Sequence, residues 1–310
     1  MVTAEHPLFI SAKIDFAFKE IMQRPQALKS FLSAVLQISL KDMKTVQMRD
    51  THLPKRFIND KLSILDVRLT LNNDTEIDIE MQLTPFRYWN NRSLYYNCRQ
   101  FTDQGEEGDP YSKFKQCIHI SVLDFALFAQ DQSPDFHSTF HLREDKTNLL
   151  YTDMLEFHVL ELPKLPENAK DSQDPLLWWG SFINAKDKEE LQMLSEKDQG
   201  LAEAFKGLNA IQMDRAKREA YLRRQMALMD YNTQMQTARE EGWEQGREQG
   251  REEGREEGKE EGKEEGRELG HQEKALDIAC KMLGLGLNKE DIAQITGLSL
   301  EQIAELAKKP

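Results

Sequence analysis

A glycine recurs at every fourth position near the end of the chain, and this repeat limits where a globular core can form. The repeating positions are Gly242, Gly246, Gly250, Gly254, Gly258, Gly262, Gly266 and Gly270. Glutamates that precede basic residues by three positions favour a helix, because opposite charges at that spacing meet on one helix face. Each glycine, however, costs a helix about 1 kcal/mol relative to alanine, and almost no apolar stripe is present. We therefore expect residues 237–273 to form either a self-associating helix or a solvated spacer.

The repeat separates a long region from a short tail. A chain of 310 residues can hold one large domain with an appendage, or two domains. Apolar periodicity is found throughout residues 1–236, where we expect a core at about 8–165 and a helical part at about 175–236. We expect residues 274–310 to form a separate helical tail.

The acidic balance of the chain is concentrated in the repeat. A net charge of −13 ordinarily argues against a nucleic-acid partner, since affinity for phosphate comes largely from Lys and Arg. Residues 239–273 alone contain seven basic and fourteen acidic residues, so about half of the net charge lies there. The rest of the chain is therefore compatible with a basic cleft.

The cysteines and the apolar segments indicate a cellular compartment. The cysteines Cys98, Cys117 and Cys280 are scattered and odd in number, which fits a reduced compartment better than a disulfide framework. Residues 1–13 lack the basic and apolar regions of a signal peptide, and no run of eighteen apolar residues occurs. We expect a cytoplasmic protein that is neither secreted nor membrane-spanning.

The first part of the long region predicts two helices and a hairpin. Residues 15–40 follow a rhythm of three to four residues that Pro25 interrupts, which is typical of two short helices. Alternating runs at 61–71 and 76–83 flank Asn72-Asn73-Asp74, and Asn and Asp tolerate the left-handed backbone of a tight turn. This stretch is the clearest β-hairpin in the sequence.

The second part predicts further strands and then helices. Residues 90–103 are helical in pattern, and 116–128 form a nearly continuous apolar run that indicates a buried strand. Strands are also expected at about 137–143 and 153–162. From residue 175 to 239 the composition is rich in Leu, Met, Ala, Lys and Glu, which favours helices.

The tail contains two short helices joined by a turn. Residues 291–307 predict a helix, a turn at 296–299 and a second helix with Ser299 as its N-cap. This arrangement resembles half of a helix-turn-helix, so the tail contacts DNA or serves as a packing or dimerisation unit. The charges of the last helix favour packing or dimerisation. They are Glu301 and Glu305, with basic residues only at Lys308 and Lys309.

The hairpin divides its side chains into an apolar face and a polar face. Alternation places Asp66, Arg68 and Thr70 on one side of the first strand, and Glu76, Asp78, Glu80 and Gln82 on one side of the second. Asp66 and Glu80 lie near the middle of their strands, where pairing brings carboxylates together. Clustered carboxylates suit Mg²⁺ or Mn²⁺, which can activate a water for phosphodiester cleavage. The alternative is a solvated hairpin face.

Several motifs together resemble the Rpn family of recombination-promoting nucleases and transposase-like proteins, within the PD-(D/E)XK nuclease superfamily. They are Asp15-Phe16-Ala17-Phe18-Lys19, Ile64-Leu65-Asp66-Val67, Asp78-Ile79-Glu80-Met81-Gln82 and Arg92-Ser93-Leu94-Tyr95-Tyr96. The resemblance covers about residues 8–165, and the glycine tetrads and the tail also resemble the ends of many members. It implies an α/β, restriction-endonuclease-like fold, in which helices flank a mixed sheet. A long helical Gly-tetrad segment and a small C-terminal helical unit follow.

By this resemblance the chain is a Mg²⁺- or Mn²⁺-dependent DNA endonuclease of low sequence specificity, linked to recombination or mobile elements. Asp66 and Glu80 take the metal-binding positions. Gln82 takes the superfamily's lysine position, where an amide can orient water but cannot supply a positive charge. Glu20 is either an accessory acid at the end of the first helical motif or a surface salt-bridge partner.

Basic residues near the acidic positions are candidates for contact with DNA. Arg68 and Arg92 are the main ones, although the tyrosines beside Arg92 could equally belong to the core. Lys55, Arg56, Lys61, Arg87 and Arg99 complete a possible basic rim. His137 and His141 are four apart in a strand-like segment, which is not the helical spacing of a zinc protease.

Two rival functions stay open from the sequence. The first is a catalytically weak DNA-binding or oligomerisation protein, in which the Gln82 site is vestigial and the tail is the working part. The second is RNA cleavage, since the same metal chemistry acts on either backbone.

Overall fold

A computed structural model describes residues 8–53 and 63–307. Contacts within the chain fall into two units, Met1–Asn232 and Thr233–Pro310. The strands are β1 (Val46–Met48), β2 (His52–Leu53), β3 (Ser63–Ile64), β4 (Val67–Leu71), β5 (Thr75–Gln82), β6 (Gln116–Leu123), β7 (His137–Arg143) and β8 (Leu150–Glu161). The α-helices are α1 (Asp15–Met22), α2 (Pro25–Leu36), α3 (Trp89–Thr102), α4 (Pro175–Asn184), α5 (Lys188–Ser195), α6 (Gln199–Met213), α7 (Arg215–Gly284), α8 (Lys289–Thr296) and α9 (Leu300–Leu306).

The first unit contains a mixed sheet of six strands in the order β1-β4-β5-β6-β8-β7. Strands β1, β4 and β5 pair antiparallel, β5, β6 and β8 pair parallel, and β7 returns antiparallel along β8. The hairpin predicted around residues 72–74 is confirmed. Asn72 and Asn73 both have positive φ, and Asp74 N donates to Leu71 O at 3.1 Å, which is the geometry of a type I′ turn.

One face of the sheet packs on the apolar core. Side chains such as Ile79 and Ile120 meet residues of α1, α2, α4 and α6, among them Phe18, Phe31 and Phe182. The first two predicted helices are present, and Pro25 lies at the start of α2, where its missing N–H costs little. The α/β architecture with flanking helices, expected from the family resemblance, is therefore confirmed.

Helix α3 covers the opposite face, which carries the carboxylates. Glu76, Asp78 and Glu80 are all buried, and Gln100 of α3 donates a hydrogen bond to Asp78. A solvated hairpin face is therefore wrong. The face is buried because α3 packs on it. The buried residues of α3 include Ser93, Asn97 and Gln100, so the helix places polar side chains against the polar side chains of the sheet.

The remaining predicted elements differ mainly at their ends. Strand β6 stops at Leu123 rather than extending to residue 128, because Phe125 and Phe128 turn away and pack around Trp89 and Leu123. Strand β8 begins at Leu150, earlier than expected. Three residues of the predicted basic rim, Lys55, Arg56 and Lys61, lie outside the described residues.

Helix α7 is continuous from Arg215 to Gly284, so the helical Gly-tetrad segment is confirmed. No atom outside the helix lies within 4 Å of a Cβ built on any tetrad glycine, as far as the described residues show. In the second unit a small core joins Ala279, Ile292, Leu298 and Ile303. The predicted turn is present, with Gly297 at positive φ.

Ser299 caps α9 as the sequence predicts. Its hydroxyl accepts from Gln302 N at 3.2 Å, and the Gln302 side chain accepts from Ser299 N at 2.9 Å. This reciprocal pair satisfies two N–H groups that a helix start leaves free. None of the described helices, including the long but highly charged α7, has the length and apolar content needed to cross a membrane.

Candidate active site

Asp66 and Glu80 meet at the open end of the hairpin. Val67 pairs with Ile79, so Asp66 lies one step further along, opposite Glu80. Asp66 N donates to Glu80 Oε1 at 3.0 Å, and Met81 N donates to Asp66 Oδ2 at 3.0 Å. Two backbone amides therefore fix both carboxylates at one point, as expected if they share a ligand.

Two cations from different helices approach this pair. Lys19 of α1 lies 2.8 Å from Asp66 Oδ1, measured from its Nζ, and Arg92 Nη2 of α3 lies 3.5 Å from Glu80 Oε2. The Arg92 guanidinium is also 5.3 Å from the Trp89 ring centre and 5.2 Å from that of Tyr96. The sequence-based hypothesis included Arg92 but missed Lys19, which it quoted only as part of a motif.

Burial disfavours the ionised form of Glu80. Desolvation raises the pKa of Glu80 well above its ordinary value, and the negative charges of Asp66 and Asp78 raise it further. Arg92 opposes this shift by favouring the carboxylate. The site therefore has a deficit of positive charge, which a bound cation would relieve.

The donor set fits a hard divalent cation held with water. Within residues 8–53 and 63–307, no three His, Cys, Asp or Glu side chains come together as a metal cage. Mg²⁺ rarely uses such a cage and is commonly held by one or two carboxylates, with water and substrate phosphate completing its shell. Asp66 and Glu80 match that requirement, and 17% of the Asp66 side chain is exposed to solvent.

Gln82 and Glu20 have partners outside this carboxylate pair. The Gln82 amide nitrogen donates to Thr84 O at 3.0 Å and to Thr84 Oγ1 at 3.2 Å. Its amide group therefore donates hydrogen bonds to the segment that follows β5. The Glu20 carboxylate pairs with Lys217 of α7, which is the salt-bridge alternative considered for this residue.

Arg68 is engaged away from the pair. Its Nη2 lies 4.0 Å from Glu76 Oε2, and its Nη1 lies 3.5 Å from Asp50 O. Glu76 also accepts from the Thr70 hydroxyl at 2.8 Å. The structure therefore brings Lys19 to Asp66 and Arg92 to Glu80. Arg68 instead lies near Glu76, further along the same polar face.

A buried chain of hydrogen bonds runs from Asp78 on β5 across β6 to Trp89 on α3. Asp78 Oδ2 accepts from His119 Nδ1 at 2.6 Å, and His119 Nε2 lies 3.0 Å from Ser121 Oγ. Trp89 Nε1 donates to the same hydroxyl at 3.0 Å. Because Trp89 packs against Arg92, this chain holds the ring that positions the guanidinium near Glu80. Sequence reasoning missed it, since its members come from three separate elements.

The histidines of β7 form a separate cluster. His137 Nε2 lies 2.8 Å from His158 Nδ1, while His158 and His141 approach Glu156 at 2.6 and 3.3 Å. Burial, together with His158, lowers the pKa of His137 to about 4. These contacts bind β7 to β8 within the sheet.

Comparisons with known proteins agree with this geometry. The family model for PD-(D/E)XK nuclease family transposases matches residues 12–238. A second model, described as the C-terminal HTH domain of the Rpn/YhgA-like nuclease family, matches residues 272–308. No curated protein and no solved structure gives a significant match.

Proposed function

Since the chain belongs to the PD-(D/E)XK nuclease family transposases, we propose that it is a metal-dependent DNA endonuclease of low sequence specificity. The observation that carries this proposal is the meeting of Asp66 and Glu80, with Lys19 at Asp66 and Arg92 at Glu80. Cleavage in recombination or mobile-element transfer, in the reducing cytoplasm, is the corresponding cellular setting. All three cysteines carry free thiols, which suits that compartment.

Asp66 and Glu80 are the residues that would hold Mg²⁺ or Mn²⁺. Such an ion lowers the pKa of bound water and neutralises charge that develops on a phosphate. The backbone N–H groups of Asp66 and Met81 orient the two carboxylates. Arg92 stabilises the ionised form of Glu80, so it keeps this buried carboxylate available as a ligand.

Lys19 supplies the positive charge that Gln82 lacks. A lysine two positions after the second acid is usual in the superfamily, and here that position carries a neutral amide committed to Thr84. The ammonium of Lys19, on α1, contacts Asp66, one member of the carboxylate pair. A fixed positive charge near the reacting phosphate would stabilise the transition state, and removing one such preorganised group typically costs about 10²–10³-fold in rate.

Nicking of supercoiled plasmid tests the proposal. Wild-type protein should cut with Mg²⁺ or Mn²⁺ and not with EDTA, while Asp66→Ala and Glu80→Gln should lose at least about 10²-fold in rate. Glu107→Ala, a change at an exposed carboxylate, is the matched control and should cut as the wild type does. Wild-type melting temperature should also rise on addition of the metal, and both site variants should lose most of that rise.

The outcomes also separate the rival functions. DNA binding without divalent-dependent cleavage would favour a vestigial site. The Gln82 amide would fit that hypothesis, because it donates its hydrogens to Thr84. Faster cleavage of RNA than of matched DNA would assign the activity to RNA. Cleavage by Asp66→Ala at the wild-type rate, with contaminating nuclease excluded, would overturn the site assignment.

We also propose that the C-terminal HTH domain and α7 act in self-association. The last helix presents Glu301 and Glu305, which repel phosphate, so packing or dimerisation suits α9 better than a DNA groove. Truncation after Arg239 should leave the first unit folded and lower the oligomeric state seen by sedimentation. If the truncated protein keeps the same number of chains per particle as the full-length protein, the association role is contradicted.

A further inference from the structure

The segment between β5 and α3 presents two aromatic rings to solvent. Phe86 is 42% exposed and Tyr88 is 58% exposed, whereas the next residue, Trp89, is only 1% exposed. The rings of Phe86 and Tyr88 are 6.4 Å apart and inclined at 75°, and the Arg87 guanidinium lies 5.6 Å from the Tyr88 ring centre. We call Phe86, Arg87 and Tyr88 the aromatic platform.

The aromatic platform is anchored at both ends to the candidate active site. At its start, the Gln82 amide holds Thr84 through two hydrogen bonds. At its end, Arg92 N donates to Tyr88 O at 3.1 Å, so Tyr88 lies one helical turn before the residue that contacts Glu80. Trp89 N also donates to Phe86 O at 3.0 Å. These bonds hold the segment that carries the exposed rings between Gln82, two residues after Glu80, and Arg92, which contacts Glu80.

The chemistry of the platform matches unpaired nucleotides. Exposed aromatic side chains stack on bases of any sequence, and arginine adds both stacking and contact with phosphate. Bases in an intact duplex are already stacked on one another and offer no free face to such a ring. An unpaired extension, a gap or a branch does offer free faces. Arg87 and Arg92 supply the positive charge that a phosphate backbone beside these bases requires.

We propose that the aromatic platform binds unpaired bases next to Asp66 and Glu80, so that the preferred substrate is DNA with a single-stranded or frayed segment. The inference rests on the proposed nuclease function and names its substrate class. The platform also accounts for low sequence specificity, since stacking does not read the edges of bases.

Equilibrium binding of the full-length protein tests the platform without any cleavage. The probes are a blunt duplex and the same duplex with a short unpaired 3′ or 5′ extension that carries 2-aminopurine, both in EDTA. The extension should increase wild-type affinity and quench the 2-aminopurine fluorescence by stacking. Phe86→Ala/Tyr88→Ala should lose at least about tenfold in affinity for the extended probe and leave blunt-duplex affinity unchanged.

Two further variants guard against a purely structural effect. Phe86→Trp/Tyr88→Trp keeps the rings and should keep both affinity and quenching. Tyr151→Ala removes a tyrosine that is 84% exposed on β8, and it should behave as the wild type does. An equal loss on both probes, no loss in the double alanine variant, or the same loss in Tyr151→Ala would each overturn the platform.

The binding and nicking experiments fail independently. If Asp66→Ala abolishes cleavage while the platform variants bind extended DNA normally, only the platform inference is wrong. If no metal-dependent cleavage is found but quenching depends on Phe86 and Tyr88, the platform stands and the proposed nuclease function fails.

Discussion

Strand β5 and helix α7 both carry carboxylates at short, regular intervals, but only the strand buries them. Glu76, Asp78 and Glu80 alternate along β5 beneath α3. The glutamates of the tetrads, such as Glu252 and Glu256, are exposed on α7. The carboxylates of α7 therefore lie in water, whereas on β5 burial raises the pKa of Glu80 well above its ordinary value.

The difference shows that spacing alone does not identify a reactive carboxylate. On β5 each acid has its own partner: Lys115 and Arg68 near Glu76, His119 at Asp78 and Arg92 near Glu80. On α7 the charges are screened by water and are worth a few tenths of a kcal/mol per pair. A charge change should therefore matter greatly at the first site and little at the second.

The largest effect should follow from moving a positive charge at the carboxylate pair. Lys19→Gln should lower the rate of metal-dependent cleavage by about 10²-fold, because it removes the cation near Asp66. Gln82→Lys alone should retain or raise activity, and Lys19→Gln/Gln82→Lys should recover most of the loss. Single-turnover cleavage rates and Mn²⁺ affinity by titration calorimetry measure this.

Lys259→Gln, a charge change on α7, is the matched control and should cut at the wild-type rate. If the double variant at the active site stays as slow as Lys19→Gln while remaining folded, Lys19 does not act through its charge.

A smaller effect should appear when a methyl group is added to a glycine in each region. A Cβ on Gly200 would overlap the side chain of Ser30, so Gly200→Ala should lower the free energy of unfolding by about 1–3 kcal/mol. A Cβ on Gly254 meets nothing within 4 Å, so Gly254→Ala should stabilise the local helix by about 1 kcal/mol.

Thermal denaturation followed by circular dichroism measures the first change, and hydrogen exchange along α7 measures the second. A higher melting temperature in the Gly200→Ala protein, or faster exchange around position 254 in Gly254→Ala, would contradict this comparison.

The smallest effect concerns pH. Because the pKa of Glu80 is raised in the folded protein, the folded state binds more protons than the unfolded state between the two pKa values. The metal-free protein should therefore lose stability as pH rises through that window, by at most about 1.4 kcal/mol per pH unit for one proton. Glu80→Gln should remove this loss and raise the melting temperature at neutral pH.

Glu256→Gln on α7 should leave the pH profile unchanged, because that carboxylate is exposed. Melting temperatures of the three proteins between pH 4.5 and 8, in EDTA, make the comparison. A steeper loss in Glu80→Gln than in the wild type would mean that burial of Glu80 does not govern this pH dependence.

Local patterns in the sequence were sufficient for the hairpin and its acids. The Asn72-Asn73 turn fixes the register, and register places Asp66 opposite Glu80. Those features depend on neighbours in sequence, which is why they could be predicted. The capping box at Ser299 and the helical tetrads are local in the same sense.

Features that depend on packing between distant elements could not be predicted. Lys19 reaches Asp66 only because α1 packs against the core beneath the hairpin. The burial of the polar face was missed because hydrophobic periodicity cannot reveal a helix that buries Asn97 and Gln100. Arg68 was considered for the site because it lies near Asp66 in sequence, and Glu20 because of the family resemblance. Their partners in space are Glu76 and Lys217, which come from other parts of the chain.

The type I′ turn between β4 and β5 has a consequence for the order in which the site assembles. Asp66 and Glu80 are only 14 residues apart, so the entropy lost in closing the loop between them is small. Hairpins of this kind close in about 1–10 μs. Lys19 must be recruited across a much longer stretch of chain, and each doubling of loop length adds about 0.6 kcal/mol. We therefore expect the two acids to come together early in folding, and the charge that complements them to arrive with the core.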